Sequence, residues 1–151
     1  MKLYLVRHGR YVPIDVSMSC PLSLEGQAEI KRLASYLVKL KLRVPKVYHS
    51  TKLRAQQTAK ILADSVNEGQ CDLLEGLEPN DRTLPILQKI NTWSHDTMLV
   101  GHLPFVGILT RELLAVGNEI DLVNYEPGTI VCLANENGEW KIDWVLNSSM
   151  Y

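Results

Sequence analysis

Three times along this chain a short apolar run gives way to a turn and then to a segment with helical spacing, and each time a histidine stands at the end of the run. Lys2-Leu-Tyr-Leu-Val6 is stopped by Arg7-His8-Gly9, Val47-Tyr48 leads into His49-Ser50, and Thr97-Met-Leu-Val100 ends at Gly101-His102. Short, continuously apolar runs of this kind read as strands covered on both faces. After the first, Ser23 is placed to cap a helix whose apolar positions Ile30, Leu33, Ala34, Leu37 and Leu40 follow the i, i+3, i+4, i+7 rule, with Pro45 expected to close it. After the second, Ser50 is a candidate N-cap for a helix through Ala55, Ala59 and Leu62. A further helix is expected over about Leu84 to Trp93, and one from about Pro104 to Leu114 follows the third strand.

The last segment breaks the pattern. Thr129 to Leu133 and Trp140 to Val145 flank Asn135-Glu-Asn-Gly138, which suits an antiparallel hairpin with a loop of four to five residues. Alternating strands and helices with right-handed crossovers make an α/β fold, a three-layer α/β/α sandwich around a mostly parallel sheet with one antiparallel edge. Such sheets bind ligands beyond the carboxyl ends of their strands. Three of the four histidines fall on that edge, and only His95, beside Ser94 and Asp96, reads as a plain loop residue.

No repeat, low-complexity stretch or composition break divides the 151 residues, so residues 1–151 are expected to form one domain. A hydrophobic fraction of 46% and a charged fraction of 22% exclude a disordered chain. The net charge of −1 gives no global attraction to nucleic acid or to an anionic membrane. It hides a division: residues 1–63 carry 12 basic and 3 acidic side chains, residues 64–151 carry 4 and 14, and no acid lies between Ile30 and Ala63. Either the basic half is a solvated helix surface or it builds an anion site. Cys20, Cys71 and Cys132 have no metal or disulfide spacing and read as reduced thiols. The apolar run at Leu3 to Val6 is too short for a signal core or a membrane span, so a cytoplasmic location is expected. Trp93, Trp140 and Trp144 are not interleaved with basic residues and read as core and rim packing.

The edge residues suit phosphoryl chemistry. A neutral imidazole can attack phosphorus, and planar guanidinium groups hold phosphate oxygens in bidentate fashion. His8 with Arg7, Arg10 and Arg54 fits those roles, and Arg54 and His102 each lie near the positive end of an expected helix. Each residue alone is more often a capped or solvated side chain; their coincidence on one edge is the signal. The chain has no GxxxxGK[ST], no GxGxxG after a strand and no HExxH.

Leu5-Val-Arg-His-Gly9, the stretch His49-Ser-Thr-Lys-Leu-Arg-Ala-Gln-Gln-Thr-Ala59 and Leu99-Val-Gly-His102 together resemble the histidine phosphatase, or phosphoglycerate-mutase-like, superfamily. The short length, Pro21-Leu-Ser-Leu-Glu-Gly26 and Gly101-His-Leu-Pro104 resemble its small phosphohistidine phosphatase branch, the SixA type. The resemblance implies that His8 is the phosphorylated nucleophile and that Arg7, Arg54 and His102 form the phosphate pocket, with Ser50 shaping it. It implies no metal and no cofactor, and phosphate or sulfate as ligand.

Two positions depart from the wider family. Arg10 follows the RHG triplet where an acidic or amide residue is usual, and it either tightens phosphate binding or points to solvent. The usual general-acid carboxylate has no clear equivalent; Glu75, Glu78 and Asp81 are candidates, with Glu78 the first choice. A phosphorylated imidazole needs a leaving-group proton far less than an alkoxide does, so this favours a phosphoprotein carrying phosphohistidine as substrate. The lack of long insertions that would form a lid favours the same substrate. The alternatives are a small-molecule phosphomonoesterase and a non-catalytic phosphate-binding module on the same fold.

Overall fold

A computed structural model describes residues 1–117 and 122–150 of the chain. Six strands, β1 (Lys2–Arg7), β2 (Lys46–His49), β3 (Asp72–Leu73), β4 (Thr97–Gly101), β5 (Thr129–Glu136) and β6 (Glu139–Asn147), form one sheet in the order β3-β2-β4-β1-β5-β6. The pairs β3/β2, β2/β4 and β4/β1 are parallel, and β1/β5 and β5/β6 are antiparallel. Four helices, α1 (Leu24–Lys39), α2 (Leu53–Val66), α3 (Leu84–Ile90) and α4 (Phe105–Leu113), cover it, and a 3-10 turn at Ser148–Met150 follows β6.

Because successive strand residues point to opposite faces, the central strands feed two cores. Tyr4, Val6, Met98, Val100, Ile130 and Cys132 pack with Ile30, Leu33 and Leu37 of α1 and Ala59, Leu62 and Ala63 of α2. Leu3, Leu5, Leu99, Val131 and Leu133 pack on the other face with Ile86 and Ile90 of α3 and Phe105, Val106 and Leu109 of α4. The chain thus leaves β1 toward one face and leaves its neighbour β4 toward the other. A crevice opens between two such strands at their carboxyl ends. Arg7 and Gly101 are register partners at that point.

Several element boundaries differ from the sequence reading, each for a local reason. The side chain of Ser23 does cap α1, accepting from the Gly26 N–H at 3.0 Å. The helix ends at Lys39, before Pro45: Lys41 takes a φ of 56°, its N–H bonds the Val38 carbonyl, and the Leu42 N–H bonds that of Leu37. That pair of bonds is a Schellman cap, which stops a helix without proline. Leu40 is consequently exposed rather than part of the core stripe.

Ser50 does not cap α2. Its N–H stays with the sheet end, bonding the Val100 carbonyl, and Lys52 occupies the N-cap position with no side-chain cap bond. Helix α3 stops at Ile90, short of Trp93, whose ring stacks on Tyr48 at 5.8 Å between centroids. The last hairpin turns through two residues, with Asn137 and Gly138 at φ of 56° and 84°, so its strands run longer than expected. Asn-Gly is the pair that such a left-handed two-residue turn prefers. The short edge strand β3 has no apolar run to announce it; Asp72 and Leu73 are both exposed.

Trp144 packs at the rim of the α1/α2 core, and Trp93 and Trp140 at that of the other. The three cysteines are free thiols. No helix among the described residues is long and apolar enough to cross a membrane. The basic residues Lys31, Arg32, Lys39, Lys41 and Arg43 lie exposed on and after α1, as a solvated helix surface would.

Candidate active site

The loop after β1 is fastened from three sides. The His8 N–H bonds the Gly101 carbonyl at 3.0 Å, and the Gly128 N–H bonds the carbonyls of both Arg7 and His8. The Gly9 N–H bonds Thr58 Oγ1 at 3.1 Å, while that hydroxyl donates to the Arg54 carbonyl at 2.8 Å. The Arg10 carbonyl accepts from the Ser23 N–H and lies where a Cβ on Gly26 would stand, so the loop rests directly on the first turn of α1. Thr58 thereby couples the β1 loop to α2. The sequence motif contained it but gave it no role.

His8 is 4% exposed, and its Nδ1 lies 2.8 Å from the Gly9 carbonyl. A carbonyl can only accept, so Nδ1 carries the ring proton and Nε2 keeps its lone pair. Burial is the main cause that lowers the His8 pKa from 6.5 to about 4, with Arg54 and Arg7 adding to it. The ring is therefore neutral near pH 7, as a nucleophile must be.

The His102 ring lies 4.8 Å from that of His8 and is buried. Its Nε2 is 2.6 Å from Ser50 Oγ, and that hydroxyl also accepts from the Lys52 N–H at 3.3 Å. A hydroxyl has two lone pairs and one proton, so Ser50 accepts from Lys52 and can either donate to or accept from His102 Nε2, according to the tautomer of that ring. Burial again dominates in lowering the His102 pKa to about 3, and the neighbouring His8 and Arg54 lower it further.

Arg7 donates through one terminal nitrogen to the Tyr125 carbonyl at 2.7 Å, and burial lowers its pKa. A guanidinium nevertheless stays charged near neutrality. Arg54, the second residue of α2, stacks over the Tyr11 ring at 4.7 Å, and the edge of that ring meets His8 at 5.3 Å. Nε of Arg7, Nε of Arg54 and Nδ1 of His102 are all buried without a hydrogen-bond partner in the protein. Leaving such a group unsatisfied costs about 1–3 kcal/mol each. Three such nitrogens on residues beside His8 suit an anion with several acceptor oxygens.

The remaining candidates fall at or outside the rim. Arg10 bonds the buried carboxylate of Glu29 through Nε at 2.9 Å while 43% of its side chain is exposed to solvent. Both carboxylate oxygens of Glu78 are held by Thr51, one by its N–H at 3.0 Å and one by its hydroxyl at 2.5 Å. Glu78 thus stands against Thr51, the residue after Ser50 in the turn that follows β2. Asp81 caps the Glu78 N–H at 2.9 Å, and Glu75 is exposed. His49 is buried with Nδ1 on the Ser50 carbonyl, and His95 is an exposed loop residue. Sequence reasoning missed Tyr11 and Tyr125. The first lies in an irregular loop, and the second acts through a backbone carbonyl that leaves no residue-type signal.

The histidine phosphatase superfamily (branch 1) family model matches residues 3–79, slightly more than half of the chain. The chain belongs to the histidine phosphatase superfamily. It is 32% identical over 119 residues to the phosphohistidine phosphatase SixA of Escherichia coli (strain K12), covering 75% of this chain and 74% of that protein. The structure of the protein histidine phosphatase SixA complexed with tungstate superposes with a TM-score of 0.84 at 25% identity, over 99% of both chains. A mycobacterial glucosyl-3-phosphoglycerate phosphatase shares the fold, with a TM-score of 0.73 at 14% identity over 94% of this chain and 96% of that one. The SixA-type branch and the phosphoglycerate-mutase-like architecture expected from the sequence agree with these findings.

Proposed function

We propose that this phosphatase removes phosphate from phosphohistidine on a protein through a phosphoenzyme at His8. The observation that carries the reading is the bond from His8 Nδ1 to the Gly9 carbonyl, which leaves Nε2 neutral and nucleophilic. In the first step Nε2 forms the bond to phosphorus as the bond to the leaving group breaks. Arg7 and Arg54 supply N–H donors to the phosphoryl oxygens, and the charge is met by guanidinium groups without a metal. The arriving anion opposes the causes that hold His102 neutral, so its ring gains a proton and joins the donor set. Ser50 keeps that ring in place through the 2.6 Å bond.

A phosphorylated imidazole with a proton on its second nitrogen departs as neutral imidazole and needs no acid from the enzyme. Water then attacks phosphorus, the Nε2–P bond breaks with its electron pair returning to His8, and the water proton leaves with the phosphate. The tungstate complex of SixA supports an oxyanion as ligand of this fold. The engagement of Glu78 with Thr51 supports a substrate whose release does not depend on a free carboxylic acid.

A small-molecule phosphomonoesterase is the second reading, favoured by Glu78 standing at the rim rather than far from it. A substrate panel separates the two. A histidine-phosphorylated protein or peptide should give a kcat/KM at least tenfold above sugar phosphates and nucleotides, and the reverse order overturns the proposal.

A further inference from the structure

A cleft of about 600 Å³ opens beside the His8 cluster, lined by Tyr11, Ile14, Met18 and Cys20 of the loop after β1 and by Lys52 and Arg54 at the start of α2. Its apolar wall is a built feature. The segment from Arg10 to Leu22 is pinched at its neck by a bridge between Tyr11 and Leu22 and by the bond from the Val12 N–H to the Pro21 carbonyl at 2.8 Å. Cys20 turns the chain back with a φ of 46° and is buried. The tip so presented exposes Ile14 at 69%, Val16 at 74% and Met18 at 89%. Large apolar side chains grouped on a fixed loop at the mouth of a site mark a binding surface.

Two features say what fits there. The cleft is continuous with the phosphate site, because Tyr11 and Arg54 belong to both: the Tyr11 ring meets His8 at 5.3 Å and carries Arg54 at 4.7 Å. Its charged lining consists of Lys52 and Arg54, with no carboxylate among the lining residues. A phosphoryl group held by Arg7, Arg54 and His102 fills little of such a volume, which falls in the range of sites that accept whole side chains. Apolar side chains and two cations lining one cleft complement an apolar side chain next to an acidic one.

We propose that this cleft binds the polypeptide segment flanking the phosphorylated residue, taking an apolar side chain against Ile14 and Met18 and a carboxylate at Lys52. The proposal rests on the reading that the substrate is a phosphoprotein. It makes the loop from Tyr11 to Cys20 the specificity element of the enzyme.

The test compares the full chain with the double variant Ile14→Asp/Met18→Asp and with Lys52→Glu and Lys52→Arg. The substrates are a histidine-phosphorylated peptide with Leu and Glu beside the histidine, the phosphoserine form of that peptide, and phosphoimidazole. Both altered apolar positions are exposed, and circular dichroism checks that the fold is kept. The double variant should lower kcat/KM for the peptides at least tenfold and for phosphoimidazole less than threefold; Lys52→Glu, whose charge also acts on His102, should lower it at least fivefold more for the peptides than for phosphoimidazole, with Lys52→Arg restoring most of the loss. Parallel loss on all substrates, or no loss on the peptides, overturns the proposal. If the wild-type chain prefers the phosphoserine peptide, the phosphohistidine reading fails, while the ratio of peptide to phosphoimidazole still decides for or against the cleft.

Discussion

The rings of His8 and His102 lie 4.8 Å apart, each buried, and neither has a carboxylate among the causes that set its pKa. Burial holds both neutral, at about 4 for His8 and about 3 for His102. His8 therefore stays neutral well below the pH at which an ordinary histidine takes up its proton. The acid limb of kcat/KM should fall near pH 4 rather than near 6.5, measured as a pH–rate profile with a substrate that does not itself titrate in that interval.

Stability should move in the same interval. A histidine whose folded pKa lies below its unfolded value of 6.5 is protonated more readily in the unfolded chain, so its contribution is complete above pH 6.5 and is lost as pH falls toward 4. For His8 the loss is on the order of 3 kcal/mol. Sulfate stays dianionic across this range and favours the protonated rings. It should therefore raise the melting temperature more at pH 5.5 than at pH 7.5; an equal rise at both would count against the coupling.

Ser50→Ala removes the side-chain hydrogen-bond partner of His102 Nε2, at 2.6 Å, while the bond from the Ser50 N–H to the Val100 carbonyl stays. Losing one hydrogen bond of about 1–1.5 kcal/mol corresponds to roughly a tenfold fall in kcat. Steady-state kinetics checks this. Circular dichroism should be unchanged.

Glu78→Gln discriminates between substrate classes. Turnover of a phosphohistidine peptide should change less than threefold, because its leaving group departs as neutral imidazole, whereas any activity on an alkyl phosphate should fall further. Parallel rates on both substrates measure it, and a large loss on the phosphohistidine peptide would give Glu78 a catalytic role there.

Gly26→Ala places a methyl group on the Arg10 carbonyl, which is backbone and already bonded to the Ser23 N–H. Overpacking of this kind costs about 1–3 kcal/mol. Chemical denaturation should show that loss, and activity should fall as well, because the carbonyl belongs to the loop that carries His8.

Residues that announce themselves by type and period were legible in the sequence. His8, His49 and His102 stand at strand ends as read, and Arg54 begins α2 as read. The parallel sheet with its antiparallel edge follows from the same periodicity. What could not be read depends on who else competes for a side chain. Ser50 looks like a helix cap until His102, 52 residues away, takes its hydroxyl. Arg10 pairs through Nε with the buried Glu29 of α1, a partner that its place after the RHG triplet does not announce. Tyr125 serves Arg7 through a carbonyl from 118 residues away, a contact no residue pattern encodes.

The most direct measurement is of the phosphoenzyme itself. After brief incubation with a histidine-phosphorylated peptide and an alkaline quench, mass measurement should find one acid-labile phosphate on His8, with none on His8→Ala and no turnover by that variant. Normal turnover by His8→Ala, or phosphate trapped on another residue, would contradict the account.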